Sequence, residues 1–214
     1  GCKNNKNITV TVYNPPNVSA SASKTTICKG DSTILSAYGA NSYSWSPYSS
    51  LSSPSGASVV AKPTSNTTYM VIGTNANNCS DTDYISITVN QLPSISISSN
   101  KNAICIGDSV FLSASGGISY SWVGPYLSAS SGNNVWAKPT STSSYTVIGK
   151  DTNGCQNSSS KQITVNPLPT LSFNPANPSI CLGGSINISV SGANSYLWTP
   201  STGLNATNLS TVTA

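Results

Sequence analysis

Six cysteines, four tryptophans, five aspartates and nine lysines are the side chains through which this chain of 214 residues could do chemistry. The sequence contains no His, no Glu and no Arg. Without imidazole, neither an ordinary Ser-His or Cys-His nucleophile pair nor a histidine metal site can form. Five scattered Asp poorly replace the carboxylate pair of a glycosidase, and no segment gathers the oxygen ligands of a calcium loop. The cysteines show no Cys-x-x-Cys spacing, which points to disulfides rather than zinc. A net charge of +4 without Arg is a weak footprint for nucleic acid. No apolar run is long enough to span a membrane, and no signal peptide is visible. The expectation is a non-enzymatic chain without metal or cofactor.

The elements that position these residues follow from composition and period. Ser (43), Thr (22) and Asn (24) make up about two-fifths of the chain, with 16 Gly and 13 Pro. Helix formers are scarce and β-branched residues abundant, which favours short strands joined by turns. A chain so polar could instead be disordered. Its periodicity argues against that.

One unit is repeated. Ile-Cys-x-Gly occurs at Ile27–Gly30, Ile104–Gly107 and Ile180–Gly183. Cys28, Cys105 and Cys181 are spaced by 77 and 76 residues, as are Trp45, Trp122 and Trp198, and as are Cys2, Cys79 and Cys155. Lys-Pro recurs at Lys62-Pro63 and Lys138-Pro139, Tyr-x-Val-Ile-Gly at Tyr69–Gly73 and Tyr145–Gly149, and Ile-Thr-Val at Ile8–Val10, Ile87–Val89 and Ile163–Val165. Within each unit, residues such as Thr33, Leu35 and Ala37, or Val110, Leu112 and Ala114, alternate with polar neighbours, the mark of a strand buried on one face. About seven such strands with a central Trp predict an immunoglobulin-like β-sandwich.

The predicted organisation is all-β. Residues 1–14 form the last strand of a preceding repeat, 15–92 and 93–168 are complete repeats, and 169–214 is a repeat lacking its final strands. Pro-rich joints at Asn14-Pro15-Pro16, Gln91-Leu92-Pro93 and Asn166–Pro169 make stiff spacers, so the repeats form a rod advancing roughly 35–45 Å per unit. The partial repeats at each end are expected to reflect an excerpt of a longer chain, the alternative being strand donation between chains.

Two cysteine pairings are open. Bridges within a unit would join Cys28 to Cys79 and Cys105 to Cys155. Sandwich topology opposes them, because one cysteine lies at the base of the unit and the other at its upper hairpin, more than about 20 Å away. Stitching between neighbours, Cys28 to Cys155, is favoured, with Cys2, Cys79, Cys105 and Cys181 pairing to other units. Trp45, Trp122 and Trp198 fall in the inward phase and are expected in the core. Trp136 is out of phase, so it faces outward, either covered by a loop or free to contact a sugar or another chain. Lys62, Lys138 and the other lysines read as solvated charge that blunts strand edges.

The string Cys-x-Gly-Asp-Ser-x-x-Leu-Ser-Ala, followed by Ser-Tyr-Ser-Trp, Lys-Pro-Thr-Ser, Tyr-x-Val-Ile-Gly, Asn-x-Cys and Ile-Thr-Val, resembles the immunoglobulin-like (polycystic-kidney-disease-like) repeats of giant surface proteins in Bacteroidetes. The third unit departs from it, with Gly184 in place of Asp31 and Asp108. The resemblance implies an extracellular or cell-surface stalk, a filament or adhesin whose partners are neighbouring repeats or chains of the same protein. It also implies that Ser32 and Ser109, each following an Asp, could carry covalent glycans. The other reading of Asp31 and Asp108 is that their side chains stabilise a turn. The alternative to a stalk is a glycan- or protein-binding adhesive module.

Overall fold

A computed structural model describes residues 2–214, so Gly1, which opens the partial repeat expected at 1–14, lies outside the described residues. Among the described residues there are seventeen strands and no helix. The first seven are β1 (Ser19–Ala22), β2 (Thr26–Cys28), β3 (Thr33–Tyr38), β4 (Ser42–Ser46), β5 (Ser58–Ala61), β6 (Thr67–Thr74) and β7 (Ser80–Asn90). They form two facing sheets, β1-β3-β5 and β2-β7-β6-β4. All pairings are antiparallel except β2 with β7, which run parallel, Thr26 opposite Thr88 and Cys28 opposite Asn90.

Period-two alternation supplies the core. Thr33, Leu35 and Ala37 point inward from β3, and Tyr69 and Val71 from β6. Trp45, Val59, Ala61 and Ile87 close the space between the sheets. Polar anchors recur at fixed places. The indole N–H groups of Trp45 and Trp122 donate to the carbonyls of Gly56 and Gly132 at 2.9 and 2.8 Å. The Tyr43 hydroxyl donates to the Ala40 carbonyl at 2.9 Å, and Tyr120 does the same to Gly117 at 2.7 Å. Thr33 is the one buried polar side chain among the described core residues. Its hydroxyl donates to the Lys24 carbonyl at 2.8 Å, fixing the segment by which the chain crosses from the first sheet to the second.

The second repeat has the same build, with β8 (Ser96–Ser99), β9 (Ala103–Cys105), β10 (Val110–Ser115), β11 (Ser119–Val123), β12 (Asn134–Ala137), β13 (Ser143–Lys150) and β14 (Gln156–Asn166). Its sheets are β12-β10-β8 and β11-β13-β14-β9, with β9 parallel to β14. The Gly that ends Tyr-x-Val-Ile-Gly has a steric reason. A Cβ on Gly149 would run into the Ile95 side chain, which lies across β13. The turn after β10 holds Gly116 at φ +95°, where a Cβ would collide with the Ser94 carbonyl.

The third unit contributes one sheet among the described residues, β15 (Ser172–Asn174), β16 (Asn187–Ser191) and β17 (Thr211–Thr213) in the order β15-β16-β17. It matches β1-β3-β5. The Tyr196–Trp198 segment forms no strand: it keeps the Trp198 N–H bond to the Thr207 carbonyl, as β4 and β11 bond to their own following loops, but lacks among the described residues the ladder that β6 and β13 give β4 and β11. Trp198 therefore differs from the expectation of a core position. It is only partly buried, lying edge-on to Phe173 with centroids 5.9 Å apart. Residues 2–17 also form no strand, and Ile8, Val10 and Val12 alternate along them fully in solvent.

Leu112 is fully buried between the sheets of the second repeat. Replacing it with Ala should cost about 2–5 kcal/mol, read as a lowered urea midpoint in Trp fluorescence. Burial raises the Tyr145 phenol above its ordinary value of 10.0. Folding thus favours the neutral phenol, and this contribution is complete below about pH 10 and fades as pH rises toward the folded value. Comparing stability of the parent and Tyr145→Phe from about pH 9 to 11.5 should show a steeper alkaline loss in the parent.

Candidate functional site at the joint between repeats

The chemistry of this chain concentrates where one repeat meets the next. Strand β7 is eleven residues long and ends at Asn90, whose carbonyl accepts the Lys29 N–H at 2.8 Å. This pairing holds Cys28 at the base of the first repeat. Cys79 stands at the other end of β7, about 33 Å away along the strand. A bridge between them is out of reach.

The second repeat brings its upper hairpin to the same joint. There the Asp151 N–H donates to the Cys155 carbonyl at 3.0 Å, and the Asp151 carboxylate accepts the N–H groups of Asn153 and Cys155 at 2.9 and 2.8 Å. Gly154 sits at φ +84°. The neighbouring Asn157 amide donates to the Pro93 carbonyl at 2.9 Å, tying the hairpin to the connecting segment. Cys28 and Cys155 meet in a disulfide with Cα atoms 5.5 Å apart, across 127 residues of sequence. Cys155 is 1% exposed. In the chain-entropy account, closing a loop of that length restricts the unfolded chain by about 5 kcal/mol.

The hairpin of the first repeat is built alike with Asn in place of Asp. The Asn75 side-chain oxygen accepts the N–H groups of Asn77 and Cys79, both at 3.0 Å, and its amide donates to the Asn14 carbonyl at 3.0 Å. Cys79 Sγ lies 3.6 Å from the Tyr13 carbonyl. Tyr13 stands 77 residues before Asn90, the residue beside Cys28. At the next joint the Ile106 N–H donates to the Asn166 carbonyl at 2.9 Å, and Cys105 pairs opposite Asn166. Cys2, Cys79, Cys105 and Cys181 are free thiols, with Cys79 half-buried and the other three exposed.

The remaining predicted positions are spread along the repeats. Ser32 and Ser109 are exposed just before β3 and β10. Asp31 and Asp108 make their turns through the backbone, with N–H groups donating to Cys28 and Cys105 carbonyls at 2.9 and 3.1 Å. The turn is formed by Gly30 and Gly107 at φ +100° and +96°, so no carboxylate is needed. The aspartates that do bind backbone were not singled out from the sequence. Asp81 and Asp83 on β7 accept the N–H groups of Val18 and Ala20 at 3.1 and 2.7 Å, fastening β1 to the opposite sheet. Only their alternation on one strand could have signalled this. Trp136 is 50% exposed on β12 and stacks edge-on against Phe111 at 5.1 Å.

No family model matches the chain, and no curated protein matches it. Among solved structures it is similar to a C-terminal intimin fragment in complex with the intimin-binding domain of its translocated receptor, at 15% identity and a TM-score of 0.42, over 75% of this chain and 67% of that one. A Ca2+-stabilized adhesin of an ice-binding Antarctic bacterium is similar at 10% identity and TM-score 0.41, over 85% and 58%. An I-band fragment of titin is similar at 10% identity and TM-score 0.37, over 94% and 88%. The immunoglobulin-like β-sandwich architecture rests on the strand order itself. No helix among the described residues is long and apolar enough to cross a membrane.

Cleavage after lysine without reductant should release residues 25–29 joined to residues 151–161, detected as one mass that splits on reduction. A joined pair of residues 25–29 with the peptide carrying Cys79 would contradict the bridge across the joint.

Proposed function

We propose that this chain is a tension-bearing segment of an extracellular stalk or filament, in which disulfides carry load from repeat to repeat. The observation that carries the reading is the bridge between Cys28 and Cys155, 127 positions apart in sequence. A pull on the two ends passes along residues 2–28, through the bridge, and out along 155–214. Strands β3 to β13 lie inside the loop and cannot be drawn out while the bridge holds.

The spacing supports extension of the same scheme to every joint. From each hairpin cysteine to the base cysteine of the following repeat is 26 residues, for Cys2 to Cys28, Cys79 to Cys105 and Cys155 to Cys181. Such a segment runs up to about 90 Å when extended, close to two repeats of roughly 35–45 Å each. Most of it is already strand or Pro-rich joint. With Cys79, Cys105, Cys2 and Cys181 bonded to repeats of the same kind, the protein becomes a pair of interleaved straps with little slack. Nonspecific demands on the surface are met by Ser, Thr and Asn with few charges, which leaves salt little to screen. Durable disulfides belong to oxidising compartments, in keeping with an extracellular or cell-surface site. Ser32 and Ser109 flank the joints as the hydroxyls proposed to carry glycans.

Single-molecule stretching from end to end tests the reading. Oxidised chain should lack the release of roughly 450 Å that a separation of 127 positions would give, and reductant or Cys28→Ser should restore it. Equal extension with and without reductant would overturn the proposal.

A further inference from the structure

The outer face of the β12-β10-β8 sheet differs from the same face in the other two units. Phe111 and Trp136 sit opposite each other in register and meet edge to face at 5.1 Å. The first repeat has Ile34 and Val60 at these places, and the third has Asn187 and Thr213. Trp136 remains 50% exposed, so the loop cover considered for it from the sequence is not what the structure has. The indoles of Trp45, Trp122 and Trp198 each donate to a backbone carbonyl, whereas the Trp136 N–H has no such partner among the described residues. A half-exposed indole with an unused donor, backed by a partly buried Phe111, is a recognition feature, since burial gains are forgone and a polar tip is left open.

The surroundings decide the chemistry of the occupant. Beyond the rings, the outward row continues through Ser113 beside Asn134 and Ser98, and then Ser115. It runs into an open cleft of about 570 Å³ lined by Ser115, Gly116, Ile118, Ser131 and Asn133. From Phe111 to Ser115 is about 13 Å along β10, room for a short run of linked pyranose rings. The three strands themselves carry no ionisable residue, and exposed Lys138, two residues after Trp136 in the same outward phase, is a single cation at the end of the row, little to hold a charged polymer. The half-exposed Trp136 ring and the mostly covered Phe111 ring offer at most roughly 200 Å² of apolar surface, against the about 800 Å² per partner that a stable protein interface uses. A pyranose presents a C–H face suited to stacking and hydroxyls suited to Ser and Asn.

We propose that this face binds a neutral polysaccharide, with Trp136 and Phe111 as the stacking platform and Ser113, Asn134 and the adjoining cleft as the hydrogen-bonding track. The site is independent of the load-bearing reading. Its test is affinity gel electrophoresis of the native chain in gels cast with a soluble glucan, mannan or galactan, with polygalacturonate as the charged control. At least one neutral gel should retard the chain. Phe111→Ile with Trp136→Val should weaken that retardation at least tenfold without lowering the melting temperature, because the first repeat folds with that pair. Placing Phe and Trp on the first repeat through Ile34→Phe and Val60→Trp should strengthen it. No retardation in any neutral gel, retardation by polygalacturonate alone, or retardation unchanged in the double variant would overturn the proposal. So would self-association that vanishes with the double variant, which would assign the face to a second copy.

Discussion

The parallel pairing of β2 with the end of β7 is the constraint on which the rest of the arrangement depends. It is a short ladder, three residues long, but it fixes Cys28 beside Asn90. Because β7 runs the full height of the sandwich, this pairing separates the base cysteine from the hairpin cysteine of its own repeat by a strand's length. The same strand hands the chain directly to the next repeat, whose hairpin grips the connecting segment through Asn157 and Pro93. A covalent link between neighbours follows from these two facts, since among the described residues the thiol brought to Cys28 is that of Cys155.

The two complete repeats have small cores, each built from about ten side chains. Polar anchors make up for that economy. Tyr43 and Tyr120 close their turns onto backbone, Trp45 and Trp122 tie each sheet to the loop that crosses between the sheets, and Thr33 satisfies the break between β1 and β2. With the interior reduced to a narrow seam, most of the outer surface is free to be Ser, Thr and Asn. A surface of that kind is tolerant of change, which makes the departure at Phe111 and Trp136 informative.

The third unit shows what each sheet requires. Among the described residues its β15-β16-β17 sheet has no facing sheet, and Trp198 finds Phe173 and a backbone acceptor rather than a closed interior. The segment that becomes β4 or β11 in the complete repeats stays irregular here, although its Tyr-x-Trp pattern is the same. The shared Tyr-x-Trp pattern is thus a strand where β6 or β13 supplies a ladder of hydrogen bonds, and not in the third unit, where Leu197 stands in place of Ser44 and Ser121.

Period and spacing alone determined the class of structure. Alternation at Thr33, Leu35 and Ala37, the recurrent Trp and the 76–77-residue register specify short strands, inward faces and repeated units, because side-chain direction in a strand is a local property. The same logic marked Trp136 as outward. Local pattern misjudged the aspartates: Asp31 and Asp108 sit in turns that glycine already makes, while Asp81 and Asp83 bind a strand some 63 residues away. Which backbone N–H a carboxylate meets, whether a ring stays uncovered, and what lines the cleft beside it depend on elements distant in the chain. Those were decided only by the tertiary structure, since they arise from the approach of sheets and the docking of one repeat on the next rather than from any short stretch of residues.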